Sequence, residues 1–415
     1  MITFSDLSNK QVLIAGYGKE GRASERFLKR YVPTAHIVIA DQNEGSNYLE
    51  KQGQADVVIK TPGIQKELVT KLYTTATNLF FELCKNIVIG VTGSKGKSTT
   101  ASLIHHILRE AGRHSHLVGN IGNPALDELA LINEKTETDD IFVYELSSYQ
   151  LDDIMYSPHI SVIVSLFPEH MNYHKGEVPY FEAKRRLISL MKKDDYVIYN
   201  QRFTKLNEWA AGARGIAVPY NENLPVTMNE VKLMGEHNWQ NMQAAVTAAR
   251  LFHISEENIA SSLRSFSPLP HRLEKVGTFE GITFYDDAIS TTPQSTIAAL
   301  NALENVDTIL LGGQDRGYDF KELAKVIIQK KINNMVLFPE TGSAIKKHLL
   351  DYDISRLSLL ETRSMEEAVR FAFDKTKKGS ICLLSTASPS YSIWKNFEVK
   401  GDLFSTEVQA YAKNK

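Results

Sequence analysis

Cysteine is nearly absent from this chain. Cys84 and Cys382 are its only two and stand far apart, which leaves no disulfide framework and no cysteine metal site to expect. Charge of one sign is missing too: 47 Lys and Arg face 49 Asp and Glu, for a net charge of -2. That balance gives neither a basic footprint for nucleic acid nor a polybasic patch for a membrane surface. No apolar run approaches the ~18 residues needed to span a bilayer, and the first residues lack a signal-peptide pattern. Repeats and low-complexity tracts are absent. A cytoplasmic monomer with no nucleic-acid or membrane partner is the expectation. What remains is 43% hydrophobic and 23% charged, the composition of a globular protein, and 415 residues exceed one ordinary core.

The richest stretch is 86–100, NIVIGVTGSKGKSTT. A β-like run, Ile87 to Ile89, meets a glycine turn, then Lys97, Ser98 and a helix whose period shows in Leu103, Ile104, Ile107 and Leu108 before Gly112. Strand, glycine loop and Lys-Ser at a helix start make an anion cradle. Backbone N–H groups and the positive helix end face phosphates, Lys97 adds a charge, and the Ser98 hydroxyl is placed for Mg²⁺. Gly93, Ser94, Lys95, Gly96 and Thr99 complete the loop. The strict pattern wants Gly where Val91 stands, so this is a variant carried by Gly90, Gly93 and Gly96. A nucleoside triphosphate, ATP in the simplest case, is the expected ligand.

Before this loop, Gln11–Ala15 reads as a strand running into Gly16, Gly18 and Gly21, with a helix to Tyr31. The strand His36–Ala40 ends at Asp41, about 20 residues on, as a dinucleotide fingerprint requires. Binding of a nucleotide pyrophosphate and mere tight strand-to-helix packing both fit these glycines. After the loop, the apolar strand Ile141–Tyr144 ends in Glu145, a carboxylate at the strand end where α/β sheets bind ligands. Holding Mg²⁺ against a triphosphate is its expected work, a rim ion pair the alternative. The run 160–166 delivers Glu169 and His170, with His174 close behind and less persuasive as a ligand. Lys184 opens a basic run that also reads as a solvated helix face. Asn238 and Asn241 are three apart on one helical face, suited to base recognition or to capping. A proline-punctuated boundary falls at 265–270, and alternating strands and helices resume beyond it, including Ile282–Tyr285 and Ile381–Leu384. The whole reads as α/β in three domains: a Rossmann-like 1–82, a central P-loop ATPase-type parallel sheet over 83–270, and a Rossmann-like 271–415.

Together these residues resemble the Mur ligases, ATP-dependent amide-forming enzymes of peptidoglycan synthesis, over essentially the whole chain. The carriers are TGSKGKST at 92–99, Glu145, Glu169-His170, His237 to Asn241, Arg272 and Asp287. Glu145-Leu-Ser-Ser-Tyr-Gln-Leu151, Gly119-Asn-Ile-Gly122, Leu311-Gly-Gly313 and Asn396-Phe-Glu398 look like signatures of the glutamate-adding branch. The resemblance implies that Gly16, Gly18, Asp41, Gly63 and Asn120 serve UDP-N-acetylmuramoyl-L-alanine. It implies ATP and two Mg²⁺ ions on Lys97, Ser98, Glu145 and His170, with Lys184 carbamylated as a further metal ligand. Asn241, Arg272 and Asp287 would contact ATP, and Arg316, Ser390 and Phe397 the incoming glutamate, D-glutamate in most such enzymes. One departure stands out: the branch usually reads DSKATN where this chain has Asp287-Ala-Ile-Ser-Thr-Thr292, as in a subset that adds L-glutamate. Three rival readings remain open at this point. An NAD-dependent dehydrogenase on Gly16 to Gly21 leaves Lys97-Ser98 unexplained. A non-catalytic nucleotide-binding regulator leaves Glu145 and Lys184 without a task. A folylpolyglutamate-type ligase leaves the N-terminal glycine fingerprint without one.

Overall fold

The computed structural model describes residues 2–132, 139–221 and 223–413. Three separate sheets organise them. The first is wholly parallel, in the order β2-β1-β3-β4, with β1 Gln11–Ala15, β2 His36–Ala40, β3 Val57–Lys60 and β4 Tyr73–Thr74. The second is also wholly parallel, in the order β10-β9-β8-β5-β7-β6. Its strands are β5 Ile87–Thr92, β6 Ser115–Gly119, β7 Ile141–Glu145, β8 Ile160–Ile163, β9 Tyr196–Tyr199 and β10 Ile216–Pro219. The third runs β11-β12-β16-β13-β14-β15, with β11 Glu274–Phe279, β12 Ile282–Asp286, β13 Val306–Gly312, β14 Asn334–Phe338, β15 Ser358–Glu361 and β16 Ile381–Leu384. Only β11 is antiparallel, and its pairing with β12 shifts register between Lys275 and Gly277. This is the α/β, three-sheet architecture expected from the alternating pattern.

The chain divides into two compact units, residues up to 231 with 240–266, and residues 232–239 with 267 onward. In the first unit the first two sheets share a core. Val12, Ile14, Phe27 and Leu28 join the same buried cluster as Val118, Phe142 and Tyr144. Phe80 stands edge-on to both Phe142 and Tyr144, at 5.0 and 5.3 Å between ring centres. A buried ion pair adds a polar tie: Lys60 at the end of β3 meets Asp153 at 2.6 Å, and Tyr73 donates to the same carboxylate at 2.9 Å. The second unit shows why its strands are so apolar. Ile309, Leu311, Met335 and Leu337 fill one face of the third sheet, while Leu310, Val336, Phe338 and Leu384 fill the other. Alternate residues face opposite layers, and both layers are covered.

Several boundaries move relative to the sequence reading. The helix after β1 is Lys19–Tyr31, so it begins inside the glycine turn and includes Gly21. The run 160–166 is strand only to Ile163: Val164 N still bonds Thr92 O at the end of β5, and Ser165 then turns to bond the phosphate loop. Each sheet contains a strand at which the order reverses: β1 in the first, β5 in the second and β13 in the third. Ligands of open α/β sheets sit beyond the C-terminal ends of such strands. Gly16, the loop 93–96 and Gly312-Gly313 lie at those three places.

Candidate active site

The phosphate loop leaves β5 through Gly93 and enters the helix Lys97–Glu110 through Gly96, whose φ of +87° only glycine holds cheaply. A Cβ at Gly96 would also lie 2.3 Å from Asn241 Oδ1, so the Asn241 amide presses directly on the turn. The loop is fastened from below. Ser94 N donates to Ser165 O at 2.9 Å, Lys95 N to Ser165 Oγ at 2.8 Å, and Ser94 Oγ to Phe167 O at 2.6 Å. Tyr180 OH donates to Ser94 Oγ at 3.0 Å. None of Ser165, Phe167 or Tyr180 is apparent in the sequence as a loop anchor. Ser165 follows the same strand-end rule that singles out Glu145.

Two lysines converge on this loop. Lys97 Nζ donates to the carbonyls of Gly93 and Ser94 at 3.0 and 2.9 Å. Lys184 Nζ, from the helix Glu177–Ser189, donates to the same Gly93 carbonyl at 2.9 Å. Lys184 is buried to 1% exposure, which corrects any reading of 184–186 as one solvated basic face. Burial lowers its amine well below the ordinary lysine range, and the Lys97 charge lowers it further, against Glu169 and Glu145. Lys95 instead reaches out to Glu169 at 2.7 Å. Ser98 is half-buried and Thr99 buried in the first turn of the helix.

Glu145 ends β7 in the same region and is 1% exposed. Asn120 Nδ2 donates to its Oε1 at 3.3 Å, while Oε2 is buried without a hydrogen-bond partner. A carboxylate oxygen left so in a protein interior asks for a cation. Glu145 together with Ser98 therefore fits a Mg²⁺ ion, hard oxygen donors for a hard cation. His170 sits in the left-handed region (φ 56°), its ring 5.0 Å from that of Tyr149. One edge is open to solvent, yet desolvation lowers its pKa to about 4, with Glu169 opposing and Lys97, Lys95 and Lys184 reinforcing. A neutral imidazole at pH 7 is a competent metal ligand. His174 proves buried rather than a surface residue, bonded to Ser148 Oγ at 3.0 Å.

At the first sheet the glycines divide by their surroundings. A Cβ at Gly21 would lie 2.1 Å from Gly16 O, and one at Gly16 2.0 Å from Thr61 Oγ1, so close packing demands these two. Gly18 and Gly63 have open space instead, as a ligand-facing turn would. Asp41 accepts from Tyr17 N at 2.7 Å and from Asn43 N at 3.1 Å, which lowers its pKa and fixes the carboxylate beside the glycine turn.

The second unit carries the other candidates. Asp287 is buried, accepting from Ser385 Oγ at 2.7 Å and Leu273 N at 3.2 Å, and burial raises its pKa to about 7. Arg272 N is bonded to Leu269 O next to it in sequence. Phe397 opens the helix Phe397–Lys413, with its ring 6.0 Å from that of His271. Arg316 and Ser390 come together differently: Gln314 N donates to Pro389 O at 2.7 Å, stitching their two loops. Ser390 Oγ is buried without a partner. Of the amide pair read from sequence, Asn238 donates its side-chain amide to Met234 O at 2.8 Å, and Asn241 lies against Gly96 of the phosphate loop.

A phosphate-cradling loop at a switch point, a buried strand-end carboxylate and a buried lysine of lowered pKa near it define a nucleotide-using α/β enzyme. Comparison with known proteins narrows this. Residues 91–226 match the Mur ligase middle domain, and 271–387 match the Mur ligase, glutamate ligase domain. The UDP-N-acetylmuramoylalanine–D-glutamate ligase of Streptococcus thermophilus is 31% identical, over 99% of each chain. That of Streptococcus agalactiae is 32% identical, over 97% of this chain and 98% of its own. The solved structure of MurF from Acinetobacter baumannii superposes with a TM-score of 0.63 at 17% identity, over 98% of this chain and 93% of that one. The chain belongs to the Mur ligase family and is an ATP-dependent amide-forming ligase. Among the described residues no helix is long and apolar enough to cross a membrane.

Proposed function

We propose that the chain joins D-glutamate to UDP-N-acetylmuramoyl-L-alanine in the synthesis of peptidoglycan precursors, through an acyl phosphate. The convergence of Lys97 and Lys184 on the Gly93 carbonyl, with the unpartnered Glu145 Oε2 in the same region, carries the reading. The D-glutamate ligases at 31–32% identity support the substrate.

In this scheme the alanyl carboxylate attacks the γ-phosphorus of ATP and ADP leaves. The glutamate amine then attacks the acyl carbon, and phosphate departs from the tetrahedral intermediate. Lys97 and the loop N–H groups offset charge on the transferred phosphoryl group, where positioning and electrostatics carry most of the catalysis. Mg²⁺ held by Ser98, Glu145 and His170 would supply further positive charge there. Lys184, whose burial lowers the pKa of its amine, is the side chain suited to add to CO₂, releasing a proton and becoming an oxygen ligand. Gly16, Gly18, Asp41, Gly63 and Asn120 would seat the sugar nucleotide, and Asn241, Arg272 and Asp287 the ATP. Arg316, Ser390 and Phe397 would take the glutamate. In this division of labour, residues 1–82 bind the UDP substrate, 83–270 the ATP, and 271–415 the amino acid.

Transfer of ¹⁸O from labelled substrate carboxylate into released phosphate tests the acyl phosphate; unlabelled phosphate would exclude it. A second reading keeps the chemistry with L-glutamate. It is favoured by Ile289 and Thr292, where the glutamate-adding branch usually has Lys and Asn; Thr292 here caps the helix Pro293–Ala302. Offering each enantiomer separately with ATP and the UDP substrate, and measuring phosphate release, separates the two. Release with neither would end the glutamate reading.

A further inference from the structure

Arg316 leaves β13 on the loop after Gly312-Gly313, and Tyr391 lies in the short turn Ser390–Ser392 that follows β16. These two strands are neighbours at the switch point of the third sheet. Their loops are sewn together by Gly312 N to Thr386 O at 2.9 Å and Gln314 N to Pro389 O at 2.7 Å. The approach is so close that a Cβ at Gly313 would lie 2.2 Å from Pro389 O. Three carboxylates flank Arg316, and each is already engaged by a backbone donor. Asp315 accepts from Gly317 N, Asp319 from Lys321 N, and Glu340 from Asp315 N. The guanidinium instead donates through Nε to Gln314 Oε1 at 3.2 Å, and its Cζ stands 5.8 Å from the centre of the Tyr391 ring. Among the described residues no ion pair forms on it, and no carboxylate holds its two terminal nitrogens.

We infer that Tyr391 is a positioning residue: its exposed ring braces the Arg316 guanidinium so that the two terminal nitrogens face a carboxylate of the incoming amino acid beside Ser390. A guanidinium fork recognises a carboxylate through two parallel bonds, and that geometry is lost when the plane rotates freely. An aromatic face and a hydrogen bond at Nε fix the plane without using the fork. The ring is 59% exposed, which is where a brace at a ligand entrance has to stand. The inference rests on the glutamate reading of this site.

Steady-state kinetics with each of the three substrates varied in turn test it. Tyr391→Leu should raise KM for glutamate roughly two- to fivefold, the factor a cation–π contact of ~0.5–1 kcal/mol confers. KM for ATP and for the UDP substrate should stay where they were. Tyr391→Phe should behave like the unaltered enzyme, since the ring and not the hydroxyl acts. In an Arg316→Ala background, Tyr391→Leu should add nothing. An unchanged glutamate KM in Tyr391→Leu, equal damage from Phe and Leu, or an undiminished effect without Arg316 would each overturn the inference. The contact itself is checked apart from the reaction. With ¹³C-labelled arginine, the Arg316 Cζ resonance should lose a ring-current shift in Tyr391→Leu, and an unmoved resonance would overturn the brace. Absence of glutamate-dependent phosphate release in the unaltered enzyme, with that shift present, would instead sink the glutamate reading.

Discussion

Among the described residues of the first unit two lysines are fully buried, and their surroundings are opposite. Lys60, at the end of β3, meets Asp153 at 2.6 Å and also bonds the Ile64 carbonyl at 2.8 Å. Lys184 has only the Gly93 carbonyl and, at 3.4 Å, the Thr92 hydroxyl, with the Tyr180 ring at 4.9 Å and the Lys97 charge nearby. The first arrangement keeps a cation in place and ties the first sheet to the segment following Leu151. The second disfavours the cation, through burial first and the Lys97 charge second. Burial alone therefore does not assign a role to a lysine; the presence or absence of an acid in contact does.

The largest expected effect attacks the first arrangement. Asp153→Ala strands the Lys60 charge and should cost about 3–5 kcal/mol in urea unfolding. A loss under ~1 kcal/mol would erase the distinction between the two lysines. Lys97→Ala should lower ATP turnover about 10²–10³-fold, the range for removing one preorganised donor, with UDP-substrate binding still detectable by calorimetry. Full turnover would remove the loop from the chemistry. Lys184→Ala should lose activity without loss of fold, and short carboxylic acids should restore part of it by standing in for the carbamate. No loss would make Lys184 a packing residue like any other.

The smallest effect concerns another buried carboxylate, Asp286, whose partner titrates. Its hydrogen bond raises the pKa of His271 above the ordinary value near 6.5. A raised histidine pKa contributes stability that is fully present below the unfolded value and fades as pH rises through the folded one. His271→Gln should therefore be more destabilising at pH 5.5 than at pH 8.5, and a penalty independent of pH would mean that the pair is not charged.

The same contrast explains what the sequence discloses. Strands buried on both faces, such as Gln11–Ala15 and Ile381–Leu384, have the bounds their apolar runs predict. The half-exposed outer strands Glu274–Phe279, Ile216–Pro219 and Ser358–Glu361 carry no such run and escape notice. Glu145 and Lys97 are legible because their place relative to a strand end fixes their task. The anchoring by Ser165 and Tyr180, the Lys60–Asp153 pair and the brace at Arg316 join residues remote in sequence, and no local pattern encodes such pairings. Lys184 falls between: the resemblance points to it, and only the fold reveals its seclusion from water.

The outer strands have a further consequence. β10 finishes in Pro219, which has no N–H to offer, and β11 is kinked by its shifted register at the opposite extreme of another sheet. An unpaired strand margin is a template on which a foreign chain can dock rung by rung, and both devices spoil the template. Crowded at high concentration, molecules of this protein meet blunted borders there, and fibre-like growth from those two borders is disfavoured.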